Sequence, residues 1–218
     1  MTIHALYTDF IKEELKRLEA YDATRPAGHV YEFHKHVARV ARNMKLLALE
    51  MGLGEDRAET LYQAALLHDA GKRLLPVGIW DMHNKPDTAT KNLRRQHTHK
   101  GVEIINDMFG QDTHDEFLDL VRDLALNHHE AMDGSGWLGR KGNQLSLEAR
   151  MLCICDAFDG YSVWRPHYGN RDITPAGVIQ RMAVEKAGQF DPDILKVFSK
   201  VKTCTPSKSL PPSLPLSR

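Results

Sequence analysis

Apolar residues recur at intervals of three and four along most of this chain, and long stretches of strict alternation are scarce. That period belongs to helices packed on a core rather than to strands. Residues 2–21 place Leu6, Phe10, Ile11, Leu15 and Leu18 on one side of a predicted helix, which Arg25-Pro26-Ala27-Gly28 breaks. A second helix is predicted over 30–51, with Phe33, Val37, Val40, Met44 and Ala48 inward and Gly52 as its stop. A third runs over 56–70 and closes at Gly71, and residues 72–90, with Pro76, Gly78 and Pro86, read as a structured loop. Further helices are predicted over 91–109, 114–130 and 146–162, separated by a glycine-dense loop at 134–142. Thr174-Pro175 and Asp191-Pro192 pair a capping side chain with a proline at the first helical position, opening two short final helices. The expectation is an all-α fold. Residues 1–29 form an N-terminal helix and connector, 30–201 one helical domain, and 202–218 a Pro/Ser-rich tail expected to be disordered.

Composition narrows the function classes. Lys plus Arg is 29 and Asp plus Glu is 29, so the formal net charge is zero. Binding to polymeric nucleic acid normally draws on a basic excess and is disfavoured. No apolar run approaches the roughly 20 residues of a membrane helix, and the N-terminus lacks the pattern of a signal peptide. With three cysteines, an odd number, a disulfide framework is not expected, so the predicted setting is reduced and cytoplasmic. The unusual count is twelve histidines, several beside Asp or Glu.

Some of those histidines fall in line with core positions. His36 precedes Val40 by one turn, with Glu32 a turn earlier. Leu61, Ala65 and His68 share a stripe, as do Leu118, Val121, Ala125 and His128. Ala149, Cys153 and Asp156 form another, and His97 heads Gly101, Ile104 and Ile105. An inward imidazole or carboxylate must find a partner, because burying it alone costs several kcal/mol. Taken singly, each has a plain structural explanation. A lone histidine is more often a satisfied core residue, Glu32 could pair with His36 at the surface, and Asp156 could cap a turn or pair with Arg165. His4, His29, His34, His83, His99, His114 and His167 read as surface residues. Co-occurrence on several helices is what the plain explanation leaves over. Imidazole mixed with carboxylate suits Fe, Mn or Zn better than a soft thiolate site.

The order of motifs carries a resemblance. His36-x-x-Arg39-Val40 is followed by His68-Asp69-x-Gly71-Lys72 with Pro76, then His97-x-x-x-Gly101. Next come His128-His129-Glu130-x-x-Asp133-Gly134-x-Gly136, Ala149-Arg150 leading to Asp156, and Gly188-x-Phe190-Asp191-Pro192. Over roughly 30–200 this resembles the HD-GYP branch of the HD-domain phosphohydrolases. The resemblance implies a helical HD fold and metal-dependent phosphodiesterase chemistry on cyclic dinucleotides, chiefly cyclic di-GMP. It implies that His36, His68, Asp69 and Asp156 hold one metal, and that Asp69 bridges to a second held by His97, His128 and His129. Glu32 matches the ligand of a third metal in some members. The implied cofactors are two or three divalent ions, Fe or Mn in first place with Zn or Ni admissible. Lys72 would contact the scissile phosphate, and Arg165 matches a basic residue that contacts substrate phosphate. The family's Gly-Tyr-Pro is here Gly136-Trp137-Leu138, which keeps an aromatic ring for substrate but removes the fixed φ of proline. Tyr168 stands where the family tends to carry a lysine.

The implied chemistry is physically coherent. Two metals about 3.5–4 Å apart acidify water, neutralise phosphate oxygens and align in-line attack. A carboxylate such as Asp69 has two oxygens and a charge suited to a bridge, and Lys72 adds a compact cation for a phosphoryl oxygen. The expected activity is hydroxide attack on phosphorus in a small-molecule cyclic dinucleotide, with a homodimer allowed for. Two alternatives stand beside it: the same chemistry on another substrate such as cyclic GMP-AMP, and a catalytically weak binding or interaction module.

Overall fold

The computed structural model describes residues 5–26, 31–82, 84–164 and 169–203, and among them every regular element is a helix. In chain order these are α1 (Ala5–Ala23), α2 (Phe33–Glu50), α3 (Glu55–Ala65), α4 (Thr88–Arg95), α5 (His97–Phe109), α6 (Glu116–Asn127), α7 (Leu147–Ser162), α8 (Pro175–Val184) and α9 (Pro192–Thr203). Short 3-10 turns at Ala70–Leu74, Val77–Ile79 and Gly142–Gln144 connect them. The all-α expectation holds.

α2 is the central strut. Val40, Ala41, Met44, Leu47 and Ala48 are wholly buried, meeting Ala58, Leu61, Ala64 and Ala65 of α3 and Met151, Leu152 and Ile154 of α7 within one core. Each large apolar side chain so buried contributes about 1.5–3 kcal/mol against exposure. α6 completes the core with Leu118, Val121, Leu124 and Ala125. The two expected caps form, Thr174 accepting from Gly177 and Asp191 from Asp193 and Ile194, and two more join them, Asp115 accepting from Phe117 and Leu118 and Ser146 from Ala149.

Several boundaries differ from expectation, and three of them shape the site directly. The third helix stops at Ala65 rather than continuing to Ala70, so His68 and Asp69 sit in the turn beyond it. His68 Nδ1 bonds the Ala65 carbonyl at 2.7 Å, capping the helix end. The predicted helix over 91–109 is two, broken at Gln96. α6 ends at Asn127, which leaves His128 and His129 in the following turn. At the C-terminal end, Lys202 belongs to α9 rather than to a tail: its ammonium bonds the Asn43 side chain and lies over the Phe158 and Phe198 rings. The rest of the expected tail, from Cys204 on, lies outside the described residues.

α1 is joined to the segment after the His68-Asp69 turn. It buries Phe10, Ile11 and Leu18, together with Glu14 and Asp22. Arg73 Nε donates to Glu14 at 2.8 Å, and Arg25 bonds Asp22 and Asp81 at 2.7 Å each. The Tyr21 hydroxyl donates to the Leu75 carbonyl and accepts from the Trp80 indole, both at 2.8 Å.

Candidate metal centre

Helix ends, rather than helix middles, deliver most of the polar side chains. α2 offers His36 from its first turn, the α3–turn junction offers His68 and Asp69, α5 begins with His97, and α6 hands over to His128 and His129. Only Asp156 comes from well inside a helix, α7. Gly71 makes the convergence possible. A Cβ there would stand 2.0 Å from the His97 carbonyl oxygen and 2.4 Å from the Gly101 nitrogen, so the chain crosses α5 at backbone contact.

At the middle lies Asp69, wholly buried, with its two carboxylate oxygens turned to different neighbours. Oδ2 stands 3.3 Å from His36 Nε2 and 3.5 Å from His68 Nε2. Oδ1 stands 3.2 Å from His97 Nε2 and 3.5 Å from His128 Nε2. Asp156 joins the first set, its Oδ1 lying 3.0 Å from His36 Nε2 and 3.9 Å from His68 Nε2. His129 lies at the outer edge of the second set, its ring tilted against that of His128 and edge-on to that of His97, and its Nδ1 3.7 Å from Asp156 Oδ2. Two groups thus have ligand atoms close enough to share an ion: His36, His68 and Asp69, and Asp69, His97, His128 and His129.

The Nδ1 atoms are already committed. His68 Nδ1 bonds the Ala65 carbonyl at 2.7 Å, His97 Nδ1 the Arg94 carbonyl at 2.6 Å, and His128 Nδ1 the Leu124 and Ala125 carbonyls at 3.0 Å. A carbonyl can only accept, so Nδ1 carries the proton and Nε2 presents a lone pair to the centre. His97 Nε2 and His128 Nε2 face each other at 3.0 Å. His68 Nε2 and Asp69 Oδ1 are buried without hydrogen-bonded partners. Each such orphan costs about 1–3 kcal/mol in a folded core. Lone pairs and carboxylate oxygens that converge without protons between them fit a cation, so the residues present fit divalent metal.

With no cation between them, the carboxylates hold a second proton on His36. Burial alone would depress this imidazole, yet hydrogen bonding to Asp156, Asp159 and Asp69 outweighs it and raises it to about 10. A metal bound there would displace that proton. His68 is pushed the other way, down to about 3, chiefly by burial. Burial opposes ionisation of Asp69 and Asp156 as well, but Lys72 beside the first and His36 beside the second keep both carboxylates well below their usual range. Burial raises the Cys153 and Cys155 thiols, in keeping with core packing rather than thiolate ligation.

Lys72 is buried on the 3-10 turn, its ammonium paired with Asp69 Oδ2 and lying 4.7 Å from the Phe33 ring centre and 5.6 Å from that of Trp80. Trp137 sits in the glycine-rich loop, under the guanidinium of Arg95 at 5.1 Å. Glu130 anchors that loop by accepting from the Leu138 and Arg140 nitrogens at 2.7 and 2.9 Å. The structure does not bring Glu32 to the cluster; its carboxylate is more than a third exposed and pairs with Lys35. Arg165 lies outside the described residues. The residue the sequence reasoning missed is Asp159, which accepts from His36 Nδ1 at 2.7 Å and from Arg39 Nε at 2.6 Å. Its signal was available: a second aspartate one turn beyond Asp156 on an apolar helix.

A helical bundle that gathers imidazoles and carboxylates around one shared aspartate defines a protein with a divalent-metal centre at its core. The chain belongs to the HD-domain family, whose profile matches residues 27–194. Membership in that family implies divalent metal binding. One similar protein is described as a 3'3'-cGAMP-specific phosphodiesterase of Vibrio cholerae, 28% identical over 86% of this chain and 35% of its own length. Another is described as a cyclic di-GMP phosphodiesterase of Pseudomonas aeruginosa, 33% identical over 77% of this chain and 38% of its own length. The chain therefore spans little more than a third of the length of these curated relatives. Among solved structures, a HDG"Y"P protein from Bdellovibrio bacteriovorus shares the fold with a TM-score of 0.66 at 16% identity, covering 89% of this chain and 63% of that one. No helix among the described residues is long and apolar enough to cross a membrane.

Proposed function

We propose that this chain is a metal-dependent phosphodiesterase acting on cyclic dinucleotides, with cyclic di-GMP as first substrate. The observation that carries the proposal is Asp69, whose two buried oxygens divide between two sets of imidazole nitrogens. In this reading Asp69, His36, His68 and Asp156 hold one divalent ion, and Asp69, His97, His128 and His129 the other. Fe and Mn suit this mixed donor set best, with Zn or Ni next. When bound, the pair of ions would supply an acidified water and neutralise the phosphate oxygens. Lys72 places a compact positive charge beside the same carboxylate, where a nonbridging phosphate oxygen would exchange for Asp69 as its partner. Phe33 and Trp80 flank that ammonium and restrict where it can point. Trp137 offers a ring for stacking a base, and Arg165 a cation for phosphate. Glu32 stays outside the proposed pair of sites.

Both relatives are named for cyclic dinucleotide phosphodiesterases but differ in substrate. Gly136-Trp137-Leu138 departs from the Gly-Tyr-Pro pattern at the loop beside the centre, which favours 3'3'-cGAMP as the second reading. The test is direct. Anaerobically purified protein, loaded with Fe or Mn, is incubated with cyclic di-GMP and with 3'3'-cGAMP, and products are separated by chromatography. Hydrolysis of either supports the class, and the ratio of rates chooses between them. Bound metal with no turnover of any cyclic dinucleotide would refute the enzyme and leave a binding module.

A further inference from the structure

His36 is held at both ring nitrogens by one helix. Asp156 of α7 faces its Nε2 at 3.0 Å, and Asp159, one turn further along α7, meets its Nδ1 at 2.7 Å. Asp159 is itself gripped by Arg39 of α2, which reaches Oδ1 with Nε at 2.6 Å and Oδ2 with a terminal nitrogen at 2.8 Å. The fork fixes the plane of the carboxylate. The other three buried histidines of the centre give Nδ1 to backbone carbonyls, so of these four His36 alone has a carboxylate hydrogen-bonded there. The Tyr31 hydroxyl also reaches His36 Nδ1, but it is neutral, and a charged acceptor makes the stronger bond.

We infer that Asp159 is a positioning residue, held by Arg39, that keeps the proton of His36 on Nδ1 and aims its Nε2 lone pair at the first metal position. A carboxylate behind a ligating imidazole orients the ring and makes its free nitrogen a better donor. The inference rests on the metal-centre reading above. It adds a residue that touches neither metal nor substrate, and it makes the His36 half of the centre depend on α7 through two carboxylates rather than one. Arg39 has a second effect: it offsets the buried charge of Asp159, which would otherwise be costly in this core.

The test uses Zn2+ titrated into the metal-stripped full chain against a chelating dye, alongside 15N spectra of the histidine rings in the Zn2+-loaded protein. Asp159→Asn preserves shape and removes the charge; Asp159→Ala removes the acceptor. Both should weaken one Zn2+ site roughly 10–100-fold, and Asp159→Ala should redistribute the Nδ1–H signal of one histidine. Tyr31→Phe should leave affinity and spectrum near wild type. Unchanged affinity with an unchanged ring signal in both Asp159 variants would overturn the inference while leaving the metal centre standing. A larger loss from Tyr31→Phe than from Asp159→Asn would also overturn it, in favour of the hydroxyl. Wild-type protein that takes up no Zn2+ would overturn both the inference and the centre on which it rests. A variant that melts lower when metal-free but binds Zn2+ as tightly as wild type counts against positioning and for a structural role.

Discussion

Replacing Gly71 with alanine should damage stability and one half of the metal centre together. The added Cβ would stand 2.0 Å from the His97 carbonyl oxygen, about 1.5 Å inside an ordinary contact of roughly 3.5 Å. It would also meet the Gly101 nitrogen at 2.4 Å, and both obstacles are backbone, so no side-chain rotation relieves them. Overpacking of a core costs about 1–3 kcal/mol, and a clash against two backbone atoms belongs at the top of that span. For a chain of this length about 3 kcal/mol lowers Tm by roughly 6–12 °C. The relief available is retreat of α5, which carries His97 away from Asp69 Oδ1, now 3.2 Å from its Nε2. Metal ligands tolerate errors of about 0.2 Å, so a retreat on the order of 1 Å should empty the His97, His128 and His129 half and spare the His36 half. Calorimetry and elemental analysis read the two effects. Gly160→Ala is the control, because it meets nothing within 4 Å on a helix and should be neutral or stabilising. A Gly71→Ala protein with wild-type Tm and full metal content would refute the claim that backbone contact at Gly71 sets the distance between the two halves.

Asp69→Ala should lose both metals, whereas His97→Ala should lose mainly one; equal losses by elemental analysis would contradict a shared carboxylate. Lys72→Ala should keep its metal and lose roughly 10²–10³-fold in turnover, with Lys72→Arg a poor rescue, and near-wild-type hydrolysis would return Lys72 to a structural ion pair. In the metal-free protein His36 is held up at about 10, so its stabilising charge is fully present below its ordinary 6.5 and is lost as pH rises through 10. His68 is held down at about 3, so its contribution is present above 6.5 and lost as pH falls toward 3. Tm of the metal-free chain should therefore fall on either side of a near-neutral maximum, and a steady rise from pH 7 to 10 would contradict this.

Why the sequence revealed so much of the centre, and yet not all of it, follows from where its residues sit. His36, His97, His128 and Asp156 occupy positions that the helical period assigns to the core, so each showed up as a polar residue on an apolar stripe. Periodicity placed them correctly even where it misjudged the helix: His68 and His128 sit just past the ends of α3 and α6, where the stripe still points inward for one more turn. The same period cannot say where a carboxylate aims its second oxygen. That Asp69 divides between two histidine sets depends on the crossing of its turn with α5, and that crossing is set by Gly71 against His97 and Gly101. Asp159 escaped notice for a related reason. Its partners are Arg39 and His36, 120 and 123 residues away, and only the packing of α7 on α2 brings them within reach. Glu32 shows the opposite limit: spacing of four from His36 is right for sharing a face, but it is the N-cap residue rather than part of the helix proper, and its carboxylate turns to Lys35. A histidine placed by periodicity is therefore half specified. The pairing of its other nitrogen, which fixes whether it can bind metal at all, is decided by the tertiary structure.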